Sequence, residues 1–193
     1  MQPSLPSDLK ALIALAQARP GQLNFASAGP GSSTHMAGEL LKQMTGVNIV
    51  HVPYKGNAPA LADTLGGQVD MIFSGIPALL PHLQSGRLRA VAIGSLRRFA
   101  AIPDVPTFDE LGLQGYEATT WFGLLAPAKT PRDIVARLNA EVGRILANRE
   151  LGERLVREGV EASPGTPEQF AKFIDDEIAK YARLVKAAQL KGD

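Results

Sequence analysis

Three times within its first half the sequence repeats one arrangement: a short apolar stretch, a turn of small and polar residues, then apolar residues at helical spacing. The stretches are Leu23-Asn24-Phe25-Ala26, Val47 to Val52, and Val69 to Phe73. The turns are 27–33, Pro53-Tyr54-Lys55-Gly56 and Ser74-Gly75-Ile76-Pro77. Regular β-then-α alternation calls for parallel strands joined by crossover helices, an α/β layer fold. Helices are expected after the Ser7-Asp8 cap (Leu9, Leu12, Ile13, Ala16), through Met36, Ala37, Leu40, Leu41 and Met44 up to Gly46, over 58–65, and over 76–84. The run 88–93, with Ala90-Val91-Ala92-Ile93, reads as a further strand covered on both faces.

The texture changes at 97–115, a connector holding Pro103, Pro106, Gly112 and Gly115. Residues 117–126 read as a long strand. Thr130-Pro131-Arg132-Asp133 reads as a cap and first turn, ahead of a buried stripe of Ile134, Val135, Leu138, Val142, Ile145 and Leu146. A shorter helix is expected over 150–158. Thr166-Pro167-Glu168-Gln169 has the form of a capping box, ahead of Phe170, Phe173, Ile174, Ile178 and Tyr181. The domain boundary falls near Gly115, giving 1–115 and 116–193.

Composition narrows the partners. The 193 residues are 45% hydrophobic and 20% charged, the balance of a folded globule rather than a disordered chain. Lys plus Arg is 20 and Asp plus Glu 19, so a net charge of +1 gives no electrostatic case for nucleic acid or an anionic membrane. The absence of cysteine excludes disulfides, thiolate metal sites and cysteine nucleophiles. No apolar stretch approaches the roughly 18 residues of a membrane span. Met1-Gln2-Pro3-Ser4-Leu5-Pro6 has neither a basic nor an apolar leader region, so this sequence is expected to carry no signal peptide.

The Gly/Ser turn before the second helix is the leading candidate site. A strand, a glycine-rich turn and a helix start present unpaired N–H groups and the positive end of a helix dipole, with Ser27, Ser32, Ser33 and Thr34 as added hydroxyl donors. Such a nest suits a carboxylate, phosphate or sulfate; an ordinary left-handed turn and cap is the competing reading. It is no Walker loop, because the segment ends Gly31-Ser32-Ser33-Thr34 without lysine, and no dinucleotide fingerprint, because Thr34 stands where a third glycine is needed. Parallel strands bring the later turns to the same edge. Tyr54 is then a wall of the site or a packing residue, Lys55 an anion attractor or a solvated charge, and Gly56 a point of close backbone approach. Ser74 and Gly75 complete the edge. His35, His51 and His82 are too scattered for a metal motif, and His35 beside Ser33 lacks the geometry of a nucleophile–base pair. Asp70 reads as structural. The alternatives to a binding module are an α/β enzyme acting on a phosphorylated or acyl substrate with Ser32 or Ser33 as nucleophile, and a ligand-sensing regulatory domain. The latter ranks last, since no helix-turn-helix or basic region is evident.

Several motifs in order are similar to those of one family. Leu23-Asn24-Phe25-Ala26-Ser27, the run Gly31-Ser32-Ser33-Thr34-His35-Met36-Ala37-Gly38-Glu39-Leu40, and His51-Val52-Pro53-Tyr54-Lys55-Gly56 resemble the tripartite tricarboxylate transporter receptors, the Bug-type periplasmic solute-binding proteins. So do Gly66-Gly67-Gln68-Val69-Asp70-Met71, Ile102-Pro103-Asp104-Val105-Pro106-Thr107, Trp121-Phe122-Gly123-Leu124-Leu125-Ala126-Pro127 and Gly165-Thr166-Pro167-Glu168-Gln169-Phe170. The resemblance implies a periplasmic-binding-protein-like clamshell that holds a small organic acid and hands it to membrane permease subunits, without catalysis, cofactor or metal. It implies that Ser27, Gly31, Ser32, Ser33, Thr34 and the Tyr54-Lys55-Gly56 turn line the cleft, and a periplasmic location; with Gly29 and His35 of the first turn and Ser74 and Gly75 of the third, these make up the expected ligand-binding set.

Two departures stand out. Many family members carry an acid or amide after the Val-x-Met-x-Phe strand, where this chain has Ser74 and Gly75. The chain also resembles roughly the last two-thirds of a family member, without the Pro-Pro-Gly-Gly-type loop of the first lobe. Residues 1–115 are therefore expected to form a nearly complete second lobe. Residues 116–193 would be the crossing strand and helices of an incomplete first lobe, whose uncovered apolar stripes favour a homodimer or segment exchange.

Overall fold

The computed structural model describes residues 1–190. In chain order its elements are α1 (Leu9–Ala18), β1 (Asn24–Ser27), α2 (Ser33–Thr45), β2 (Val50–Pro53), α3 (Asn57–Leu65), β3 (Met71–Ile72), α4 (Ile76–Gln84), α5 (Arg132–Leu146), α6 (Arg149–Arg157) and α7 (Pro167–Ala187). The chain divides into two compact units, one of Met1–Thr120 with the stretch from Leu184, the other Trp121–Arg183.

The first unit is built on a three-stranded parallel sheet in the order β2-β1-β3. Central β1 alternates between two cores, as a doubly covered strand must. Phe25, fully buried, belongs to a cluster with Leu9, Leu12, Leu41, Ile49, Met71, Phe108 and Tyr116; Ala26, its neighbour, belongs to a second cluster with Ala60 and Val69. α2 therefore covers one face and α3 the other. Gly38 makes the α2 side possible, because a Cβ there would collide with the Phe25 ring. At the start of the strands, Asn24 N–H donates to Asp70 Oδ2 (3.0 Å) and Asp70 N–H to Asn24 Oδ1 (2.8 Å), a reciprocal clasp that gives Asp70 its structural role.

Local signals account for several ends. Asp8 Oδ1 accepts the Ala11 N–H at 2.8 Å and starts α1, while Gly46 at φ 69° closes α2 by donating to Lys42 O. In the second unit, Gln169 N–H donates to Thr166 Oγ1 (3.2 Å) and Thr166 N–H to Gln169 Oε1 (2.9 Å), the expected capping box at the start of α7. Trp121 packs edge-on against Phe170 and Phe173, and its Nε1–H donates to the buried carboxylate of Glu177 at 3.2 Å.

Other expectations fail for identifiable reasons. Residues 88–93 form no strand: Arg89 N–H donates to Met1 O and the Met1 amino group to Arg89 O, both at 2.9 Å, and among the described residues no bond from 90–92 extends that single pair into a ladder. Only Ile93 makes an isolated bridge, to Thr107. Residues 117–126 are not a strand either; Ala118 N–H reaches Gly94 O at 2.8 Å, and nothing continues the pairing. Thr130 does not cap α5, which begins after Pro131 with no side-chain cap bond. The apolar stripe of α5 is not buried: Ile134, Leu138 and Ile145 are 46%, 45% and 55% exposed. No helix among the described residues is long and apolar enough to cross a membrane.

Candidate functional site

Because the strands are parallel, the starts of α2, α3 and α4 all lie at the C-terminal edge of the sheet. β1 leads to β2 on one side, and β2 leads back past β1 to β3 on the other, with α2 and α3 on opposite faces. Such a reversal opens a crevice between neighbouring strand ends, the usual ligand position in open α/β sheets.

The first two turns are bolted together by main-chain bonds. Tyr54 N–H donates to Ser27 O and Gly56 N–H to Ala28 O, each at 3.1 Å. Gly29, at φ +127°, permits this approach, since a Cβ there would stand 2.9 Å from Tyr54 O.

Within the first turn most donors are already used. Ser32 is the N-cap of α2: its hydroxyl accepts the His35 N–H at 3.2 Å and donates to Gly29 O at 2.7 Å. Thr34 Oγ1 accepts the Ala28 N–H (2.9 Å), and Ser27 Oγ accepts the Gly29 N–H (3.1 Å) while lying 2.6 Å from His51 Nε2. Ser27, Ser32 and Thr34 are therefore scaffold hydroxyls, not the free donors their positions in the sequence suggest. Gly31 N–H is likewise taken, by His35 Nδ1 at 3.1 Å. Ser27 and His35 are buried beneath the turn rather than set on its open side.

The donors that remain have a common origin. Ser33 and Thr34, the first two positions of α2, have N–H groups with no acceptor among the described residues. α3 and α4 start from Gly56 and Gly75, neither of which has a side chain to cap them, and the N–H groups of Asn57, Ala58 and Ile76 are equally unused. Ser74 Oγ is buried with no hydrogen-bond partner among the described residues, an unmet polar group at the end of β3. Ser33 Oγ lies 3.2 Å from Thr120 Oγ1. Lys55 is exposed. Tyr54 lends the edge a ring rather than a donor, because its hydroxyl donates to Asp63 Oδ2 at 2.7 Å; burial, then that bond, raises its pKa.

The turn is supported from below by imidazoles. The His51 ring lies 3.8 Å from that of His35 and 5.0 Å from that of Phe25. Burial pushes the His51 pKa down to about 4, helped by His35, and burial also lowers that of His35 against the opposing pull of Glu39. Sequence reasoning missed His51, since only strand register brings it beside Phe25. Glycine at the α3 and α4 caps was the legible signal for their unused amides.

This arrangement can bind and orient an anion, but it does not assemble a nucleophile. The cap serine is spent, Ser33 Oγ meets the Thr120 hydroxyl and no base among the described residues, and Ser27, which touches His51, is fully buried. The serine-nucleophile alternative is unsupported. No group of His, Asp and Glu residues suited to a metal ion occurs among the described residues.

Comparison with known proteins identifies the family and the fold. The family described as "Tripartite tricarboxylate transporter family receptor" matches residues 2–190. Protein BugT of Bordetella pertussis is 40% identical over 190 residues, which is 98% of this chain and 58% of BugT. The structure described as R. palustris Rpa4515 with adipate superposes with a TM-score of 0.89 at 36% identity, over 98% of this chain and 64% of that one. MatC from Rhodopseudomonas palustris with bound malate gives 0.79 at 35% identity, over 93% and 62%. The chain thus spans less than two-thirds of these relatives' length and shares the α/β architecture of periplasmic binding proteins. It belongs to the tripartite tricarboxylate transporter receptor family.

Proposed function

We propose that this chain is the anion-holding part of an extracytoplasmic solute receptor, which captures a small carboxylic acid and delivers it to the permease subunits of a tripartite transporter without chemical change. The observation that carries the reading is the set of unused helix-start amides of Ser33, Thr34, Asn57, Ala58 and Ile76, gathered at one sheet edge with the unpartnered Ser74 hydroxyl. Hydrogen bonds to a charged group contribute about 1.5–3 kcal/mol each, so two or three of them support micromolar capture. The similar proteins with adipate and malate favour a dicarboxylate as the ligand class. The family's receptor description and the periplasmic relatives favour a periplasmic location.

In this reading residues 1–115 are the second lobe and residues 116–193 belong to the first. The expected site residues then divide in two: Ser33, Thr34, Tyr54, Lys55, Gly56, Ser74 and Gly75 face the ligand, while Ser27, Gly29, Gly31, Ser32 and His35 hold the turns in shape. The exposed stripe of α5 supports association with a second copy of the chain. Thermal-shift measurement with a panel of organic acids tests the binding claim: adipate or malate raises the midpoint, whereas no shift with any carboxylate defeats it.

A further inference from the structure

Three rings from three elements are stacked beneath the first turn: Phe25 of β1, His51 of β2 and His35 of α2. The last of these also accepts a main-chain hydrogen bond. A ring nitrogen that accepts a hydrogen bond carries no proton, so acceptance of the Gly31 N–H by His35 Nδ1 requires the neutral ring with its proton on Nε2. That nitrogen faces Glu39 Oε1 at 3.7 Å, and Glu39 is buried and paired with Lys42 at 2.8 Å. The charged and titratable groups around His35 are thus Glu39 and Lys42 on its own helix and His51 on β2. Stacking at 3.8 Å with interplanar angle 13° suits two neutral imidazoles and opposes two cations. Gly31 needs the hold, since its φ of +70° lies in the left-handed region and no side chain of its own anchors it.

We propose that His35, kept neutral against His51 and Glu39, is the positioning residue of the 29–34 turn: its Nδ1 fixes the Gly31 amide, and so aims the Ser33 and Thr34 amides outward. Protonation at Nδ1 or loss of the acceptor releases Gly31 and with it the start of α2. The hold on the turn stands by itself; its consequence for ligand capture rests on the function proposed above.

Nuclear magnetic resonance of ¹⁵N-labelled protein reads the ring directly. At pH 7.5 the His35 ring should be the Nε2–H tautomer, and on acidification the Gly31, Ser33 and Thr34 amides should move with the His35 midpoint. His35→Asn offers its Oδ1 where Nδ1 stood and should keep the amide pattern while losing that titration. His35→Phe keeps a ring in the stack but offers no acceptor, so it should displace these amides and weaken adipate or malate binding about tenfold. An Nδ1–H tautomer in the wild-type protein, or unmoved turn amides in a folded His35→Phe protein, overturns the proposal. A wild-type protein that binds no acid defeats the functional reading instead, and the tautomer and amides still decide the role of His35.

Discussion

Gly29 and Tyr54 set the distance between the first two turns, because the Cβ that Gly29 lacks would stand 2.9 Å from the Tyr54 carbonyl oxygen. Gly31, two residues on, has open space around its missing Cβ and pays only for its φ of +70°. Replacement by alanine should separate the two positions. Gly29→Ala meets both strain and collision and should cost about 2–4 kcal/mol, whereas Gly31→Ala should cost about 1–2 kcal/mol. Urea unfolding midpoints check the order, and equal losses would show that the turns are not locked as described.

Ser74 separates stability from binding. Its hydroxyl is buried without a partner, so Ser74→Ala removes an unmet polar group and should leave the unfolding midpoint unchanged or slightly higher. If a ligand oxygen is the missing partner, the same change should weaken carboxylate binding by about tenfold, as loss of a hydrogen bond to a charged group implies. Calorimetric titration alongside thermal unfolding checks both halves. A stability loss with unchanged affinity would make Ser74 structural.

Acid should destabilise the protein through His51. Burial holds its pKa at about 4 in the folded state, below the ordinary value of 6.5. Between those values the unfolded chain binds more protons, so stability rises with pH across this window. The contribution is complete above pH 6.5 and is lost progressively as pH falls toward 4. Urea midpoints at pH 7 and pH 5 should differ, and the difference should shrink in His51→Gln. An unchanged pH dependence in that variant would place the sensitivity elsewhere.

Much of this was legible in the sequence where local chemistry decides the outcome. Gly46 ends α2, the Thr166/Gln169 box starts α7, and α4 runs over Ile76–Gln84 as its apolar spacing requires. Strands depend on their neighbours, and there the reading faltered: residues 88–93 are apolar enough for a strand, but among the described residues nothing joins the Arg89–Met1 pair to the lone Ile93 bridge. The site was legible as an edge, not as a set of donors. Ser32 and Thr34 look like ligand hydroxyls in sequence, yet each has a main-chain partner a few residues away. Nothing in the spacing of Ser27, His35 and His51 announces that strand register and helix placement bring them together.

The exposed face of α5 carries its own expectation. Ile134, Leu138 and Ile145 lie on one side of the helix and are about half exposed, a pattern that favours cover by another surface. Light scattering should show a dimer, and Leu138→Glu with Ile145→Glu should return it to a monomer that remains folded. A wild-type chain that is monomeric at all concentrations contradicts association through this face.

The most direct test watches the amides themselves. Titration of ¹⁵N-labelled protein with adipate or malate, followed by amide resonances, should move Ser33, Thr34, Asn57, Ala58 and Ile76 together along one saturable curve. Saturable binding that leaves these five unmoved and shifts amides at another surface would contradict the account.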